Sequence, residues 1–205
     1  MHKIDTKAKL LSSAKKEFET FGYQKASLRR ICKNADVTTG ALYFFFDDKA
    51  DVFDALVGDI ANKIMTMLSM HTTMEEPIND CHDQEDITND ILFGRTLISY
   101  YFQNKESANL LFNCAAGSPY EDFTDRIISF LEERNRTNIY SIFQQTNQVF
   151  NECTIHWLAH IQAESILHIL THDFTEERAL QQVEIVINYL ISGFDRLSKM
   201  ASEEE

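Results

Sequence analysis

The apolar positions of the chain recur at helical spacing almost throughout. From Lys3 to Phe21, Leu11, Ala14, Phe18 and Phe21 form one stripe, while Lys7, Lys9, Lys15 and Lys16 fall on the polar side. This predicts a first helix, capped by Asp5 or Thr6 and ended by Gly22, which takes left-handed backbone without steric cost. Leu28, Ile31, Cys32 and Ala35 predict a second, short helix with Ser27 as N-cap. Asn34-Ala35-Asp36 ends it, because Asn and Asp tolerate a left-handed turn. Val37 is an apolar plug, and Thr38 or Thr39 caps a third helix carrying Leu42, Tyr43 and Phe46. Helices this short must pack on a neighbour. A turn-linked pair at about 27–46 is a helix-turn-helix, whose second helix can enter a DNA major groove.

A fourth helix opens at Asp47 as N-cap and runs through Val52, Phe53, Leu56, Ile60 and Ile64 to about Met70. Residues 71–86 are polar and aperiodic around Pro77 and predict a loop. Helices follow at 87–102, at about 105–114 and, after a break at 115–119, at 120–150, the last with Phe123, Ile127, Phe130, Leu131, Ile139, Ile142 and Phe143 as its buried set. Two more span about 151–171 and 175–199, the second capped at Thr175. The expectation is an all-α chain of about nine helices. An N-terminal three-helix DNA-binding domain with the helix-turn-helix occupies 4–64, and a C-terminal helical domain for ligand binding and dimerisation occupies 65–205.

Composition narrows the class. With 205 residues the chain can bury a full core, and 6 Gly and 2 Pro argue against a turn-rich β protein. No apolar run approaches the roughly 18 residues of a membrane span, and the start Met-His-Lys-Ile-Asp lacks the apolar core of a signal peptide, so a cytoplasmic protein without membrane contact is expected. Cys32, Cys81, Cys114 and Cys153 are widely spaced, with no C-x-x-C, and predict free thiols. The net charge of −13 opposes DNA binding until its distribution is considered. Residues 1–50 hold 10 Lys and Arg against 6 Asp and Glu; residues 51–205 hold the other 9 against 26. A basic front on an acidic body suits a DNA reader with a separate regulatory domain.

Phe18, Gly22-Tyr23, Ser27-Leu28, Ile31, Ala35, Val37, Thr38, Gly40, Leu42-Tyr43, Phe46, Lys49 and Leu56 stand in the order and spacing of one known domain. The span from about Lys7 to Leu56 resembles the N-terminal domain of TetR-type (tetracycline-repressor-like) bacterial regulators, and the remainder resembles that family in length and helical character. The resemblance implies a homodimeric, all-helical transcription regulator with a small-molecule pocket in its C-terminal domain, and implies that Tyr43 and Lys49 grip phosphates. The family usually has Tyr-His or similar where this chain has Phe44-Phe45, so two polar groups are lost there. Those rings can meet DNA sugars or thymine, or pack against the regulatory body.

The DNA-reading set is therefore Ser27, Arg29, Arg30, Thr38, Thr39, Gly40, Ala41, Tyr43, Phe44 and Lys49. Threonine hydroxyls can reach phosphates or base edges, Gly40 lets backbone approach closely, and Ala41 can meet a thymine methyl. Arg29 and Arg30, with Lys3 or Lys7, are phosphate contacts or solvated charges. Leu158, Ile161, Ile166 and Ile169, with Val183, Ile187, Leu190, Ile191 and Phe194, supply the apolar surface of a homodimer, as two helices from each subunit in a four-helix bundle. The competing reading is an ordinary intramolecular core. Tyr100, Tyr101, Phe112, Phe123, Phe130, Phe143 and Trp157 are candidates for an aromatic cavity suited to a lipophilic ligand, and the acidic body favours a cation; plain core is the expected use of most of these aromatics.

His156, His160, Glu164, His168 and His172 follow one another at four-residue steps, a spacing open to metal binding, to a pH-dependent interface, or to plain helix-surface and interface histidines, the last being the expected use. Cys81-His82-Asp83 is a weaker metal candidate. No nucleophile–base pair, phosphate loop or metal motif is present, so neither an enzyme nor a cofactor is expected. The function expected is a ligand-responsive DNA-binding regulator, acting as a repressor on a palindromic operator of double-stranded DNA and released by a small-molecule effector. The alternative is a helical sensor or partner-binding module of the same lineage that has lost specific DNA binding.

Overall fold

The computed structural model describes residues 2–74, 84–143 and 149–203, and the side chains of all of these except 2–4, 72–74 and 84–86. Among the described residues the fold is all-α, with nine helices: α1 (His2–Lys25), α2 (Leu28–Asn34), α3 (Thr39–Leu42), α4 (Lys49–Met74), α5 (Gln84–Gln103), α6 (Lys105–Asn113), α7 (Phe123–Phe143), α8 (Glu152–Thr171) and α9 (Glu176–Ser202). Two compact units divide it: Met1–Ile64 with Asn104–Thr124, and Met65–Gln103 with Asp125–Glu205. The helix-turn-helix lies in the first unit, which also takes in 104–124.

In the first unit, Leu10, Ala14 and Phe18 of α1 are buried, as are Ile31, Leu42, Phe46, Val52, Phe53 and Val57. Phe53 meets the Phe18 ring edge-on at 4.9 Å and the Tyr23 ring at 5.2 Å. The buried stripe of α1 is thus headed by Leu10 rather than Leu11, and Phe21 is exposed. Gly22 breaks the helix as expected, but at φ 68°, ψ 165°, a region essentially confined to glycine, rather than at a helical left-handed angle. Asp5 lies in the first turn of α1, which begins ahead of it, so neither Asp5 nor Thr6 is its cap.

Asp36 provides the turn's positive φ, 54°. Asp48, not Asp47, caps α4: its Oδ1 accepts the Asp51 amide at 2.9 Å, while Asp51 accepts the Asp47 amide at 3.0 Å. α6 and the turn after it return to α1. There the Tyr23 amide donates to the Cys114 carbonyl at 2.8 Å, and Lys15 pairs with Glu106.

In the second unit α5 lies along α9, and α8 packs on α9. Gly94 makes the closest approach, with Ile187 and Val183 filling the space that a Cβ there would need. Ile139, Phe143, Phe150, Ile155 and Ala201 form a core on which Leu158, Phe194 and Leu197 rest. The Tyr101 hydroxyl donates to the Leu170 carbonyl at 2.7 Å, and burial raises its pKa.

The stretch expected as a loop at 71–86 is helical at both described ends, because the end of α4 packs on α5. His71 stacks on Phe93 at 4.0 Å and bonds Asp90 at 2.8 Å. Residues 75–83, with Pro77 and Cys81-His82-Asp83, lie outside the described residues. Tyr120 stands in a turn before α7 rather than opening it, its amide bound to Ser118 Oγ at 3.0 Å. Asn151 and Thr175 cap α8 and α9 through Thr154 and Arg178.

Candidate nucleic-acid interface

α3 and the turn after it alternate between two faces. Leu42 and Phe46, four residues apart, are buried, while Thr39, Gly40, Tyr43 and Phe44 point out, again at four-residue spacing. Tyr43 is 58% and Phe44 63% exposed. Thr38 is the N-cap, its Oγ1 accepting the Ala41 amide at 3.2 Å. Ala41 is half-buried at the edge of the outward face. Phe45 meets Phe44 edge-on at 5.0 Å and leans towards buried Phe46 at 6.5 Å, so the exposed ring is braced from the core.

Gly40 has no reason within the fold. Its φ is not positive, and an added Cβ would find only Thr38 Oγ1, at 4.0 Å. A helical glycine costs roughly 1 kcal/mol relative to alanine. A glycine on an outward face leaves room for a partner's backbone or groove to approach closely.

The scaffold beneath this face is held by polar anchors. Glu17, 3% exposed, accepts the Ser27 amide at 2.8 Å and Arg30 Nε at 2.7 Å. Arg30 also donates to the Lys25 carbonyl at 2.8 Å and lies 4.4 Å over the Phe21 ring. Ser13 Oγ donates to the Ile31 carbonyl at 2.9 Å. Ser27 occupies the N-cap of α2, but its side chain makes no capping bond.

Lys49 Nζ donates to the Tyr23 carbonyl at 2.8 Å and the Gln24 carbonyl at 3.3 Å, and stands 4.3 Å over the Tyr23 ring. Three of the ten expected DNA-reading residues, Ser27, Arg30 and Lys49, thus tie elements of the unit together. Arg29 and Lys33 are exposed on α2, and Lys7 is exposed with its ammonium 5.3 Å from the Phe46 ring. Sequence reasoning overlooked Glu17. Its signal was a carboxylate three residues after Ala14, inside the apolar stripe of α1.

Residues 10–56 match the family model described as bacterial regulatory proteins, tetR family. Over that stretch the chain is similar to the TetR family. It is 38% identical over 53 residues to the HTH-type transcriptional regulator YhgD of Bacillus subtilis, a match covering 26% of this chain and 28% of that protein. Over 54 residues it is 37% identical to the HTH-type transcriptional repressor BepR of Brucella suis, covering 26% of each. The chain thus spans about a quarter of the length of these curated relatives. Beyond the TetR-type domain the likeness is one of fold. A transcriptional regulator of the TetR/AcrR family from Aquifex aeolicus superposes with a TM-score of 0.55 at 16% identity, over 90% of this chain and 99% of that one.

The aromatics expected to line a cavity are dispersed. Phe112 and Phe123 contact each other in the first unit, at 5.8 Å. Tyr101 and Phe143 are buried in the second unit, Tyr100 and Phe130 are half-buried there, and Trp157 is 59% exposed. Of the expected dimer residues, Ile169, Val183 and Ile191 are buried by their own chain, Leu158 and Phe194 rest on its core, and Ile187 is turned to Gly94. Ile161, Ile166 and Leu190 are half-buried. The most exposed large apolar side chains of α8 and α9 are Trp157, Ile185 (60%) and Tyr189 (75%).

The histidine stripe is drawn into local pairs. His156 bonds Glu132 at 2.9 Å and lies 4.6 Å from the His160 ring, and the His168 and His172 rings lie 3.7 Å apart, tilted by 43°. Glu132 also receives Arg136, which reaches Glu133 and Glu152 as well. The His156 bond, ahead of Arg136, holds the Glu132 carboxyl below the usual carboxylate range, and the three carboxylates raise the Arg136 pKa. Among the described residues no three His, Cys, Asp or Glu side chains are grouped to hold a metal ion, and no helix is long and apolar enough to cross a membrane.

Proposed function

We propose that the protein is a dimeric DNA-binding transcriptional regulator, a repressor released from a palindromic operator by a small molecule. One observation supports the reading above others: the outward face of Thr39, Gly40, Tyr43 and Phe44, with a glycine that the fold itself does not need. Arg29, Lys33 and Lys7 supply positive charge for flanking phosphates. A two-fold protein matches a palindrome, with half-sites about 34–36 Å apart. Trp157, Ile185 and Tyr189 are the large apolar side chains of α8 and α9 best exposed to a second copy.

Release is a population shift. The effector weakens DNA binding only by the difference between its affinities for two arrangements of the protein. The acidic composition of residues 51–205 and the aromatic side chains Tyr100, Tyr101 and Phe130 favour a lipophilic effector, a cation above an anion. Selection of duplexes from a random-sequence pool, followed by binding at several salt concentrations, tests the central reading. The expected result is a palindromic site whose affinity falls steeply with salt. A folded dimer that enriches no sequence at low salt would overturn it.

One observation favours the second reading, a helical sensor that has lost specific DNA binding. Lys49, which the family resemblance assigns to phosphate, spends its ammonium on the Tyr23 and Gln24 carbonyls. The same selection separates the two readings.

A further inference from the structure

The segment Thr38-Thr-Gly-Ala-Leu-Tyr-Phe-Phe-Phe46 contains no Arg, Lys, Asn, Gln, Asp or Glu. These are the side chains that pick out guanine, adenine or cytosine through hydrogen bonds to base edges, whereas a threonine hydroxyl bonds to either kind of edge and discriminates little. What the segment presents outward is a threonine, a glycine without a Cβ, a tyrosine and a phenylalanine. Thr38, the other hydroxyl at this end, already accepts the Ala41 amide. In the major groove one base differs from the others by an apolar group, the C5-methyl of thymine, which Ala, the Thr methyl and Phe can contact.

Resting on the proposed DNA-binding function, we infer that thymine methyl groups specify the half-site, and that Phe44 is the residue that reads them, with the Thr39 methyl and Ala41 beside it. Three features of the structure support the role of Phe44. Its ring is 63% exposed, far more than a core phenylalanine. It is not loose: Phe45 braces it edge-on, and Phe46 anchors that pair in the core. A braced ring loses little further rotamer freedom on contact. Finally, Gly40 lies one helical turn before Phe44 on the same outward face and places no side chain there. Of the carboxylates that follow, Asp48 caps α4 and Asp51 holds the Asp47 amide, while Asp47 itself is exposed. Guanine is left to contacts outside this segment.

The experiment takes the best duplex selected from the random pool and resynthesises it with deoxyuridine for thymidine, which removes only the methyl, one position at a time. For the full-length wild-type protein we expect about fourfold weaker binding for each contacted methyl lost, concentrated at one or two thymines per half-site. Phe44→Ala should bind the thymine and uracil duplexes within about twofold of each other at those positions, and Phe44→Leu should keep part of the difference. In a parallel series, 7-deazaguanine for guanine removes the N7 acceptor and should change little. The inference is overturned if uracil substitution has no effect on wild type, if Phe44→Ala keeps the full methyl dependence, or if 7-deazaguanine weakens binding more than uracil does. A selected site with these results leaves the proposed function standing, whereas failure to select any site removes both.

Discussion

Arg30 and Glu17 join α2 to α1 through a 2.7 Å bond from Nε to a carboxylate that is itself buried. The same oxygen takes the Ser27 amide, so this one carboxylate fixes where α2 begins. Arg30→Ala leaves Glu17 with a single donor. Because Arg30 itself is partly exposed, the loss should fall short of that for a fully buried pair, at about 2 kcal/mol. A lower urea midpoint with an unchanged slope would show it. Arg29→Ala, at the exposed neighbour, should leave the midpoint within about 0.5 kcal/mol and weaken DNA binding instead.

Gly40→Ala should separate folding from reading. Nothing in the chain meets the added methyl, and alanine favours the helix by up to about 1 kcal/mol. The variant should melt at or slightly above the wild-type temperature and lose at least tenfold in affinity for its selected duplex. Equal affinity would show that the backbone at this position does not approach DNA.

The helices were legible because their apolar spacing is regular and their breaks carry Gly22, Asp36 and Thr38. The recognition segment was legible because its residues follow a known spacing. The roles of Arg30 and Lys49 were not. A basic side chain near a helix-turn-helix reads as a phosphate contact until its acceptors are seen, and those acceptors, the Glu17 carboxylate and the Tyr23 and Gln24 carbonyls, lie 13 to 26 residues away in sequence. For a similar reason, apolar periodicity in α8 and α9 could not separate side chains facing their own core, such as Val183 and Ile187, from those left exposed, such as Ile185 and Tyr189. An amphipathic pattern marks which face is apolar without naming its neighbour.

Gly94→Ala tests the closest approach in the second unit. A methyl there would collide with Ile187 Cδ1 and sit 3.0 Å from Val183 Cγ2. Overpacking of about 1–3 kcal/mol, partly offset by helix propensity, should give a net loss of about 1 kcal/mol in thermal unfolding. Ile187→Val removes the colliding carbon, so the double variant should be more stable than the sum of the two single changes predicts.

Glu132 gives stability a pH dependence. Its carboxyl titrates below the usual range in the folded chain because His156, and then Arg136, hydrogen-bond its charged form. A folded pKa below the unfolded one adds stability that is complete above the unfolded value, about 4.3 for a free glutamate, and is lost as pH falls through the lower folded value. Glu132→Gln should therefore have a lower urea midpoint than wild type at pH 7, and the gap should close as the pH drops below about 4. A gap that stays constant down to pH 3 would remove Glu132 as its source.

The bond from the Tyr23 amide to the Cys114 carbonyl belongs to a first unit that is discontinuous in sequence, and the proposed DNA-reading head is part of that unit. Engineers who transplant such a head onto a foreign sensor would naturally cut near residue 56 or 64. Here that scissor line discards α6, orphans the amide at the end of α1 and strips Lys15 of Glu106. A working graft must carry two strips of sequence, the leading one and 104–124, so modular exchange in this protein is a two-piece operation.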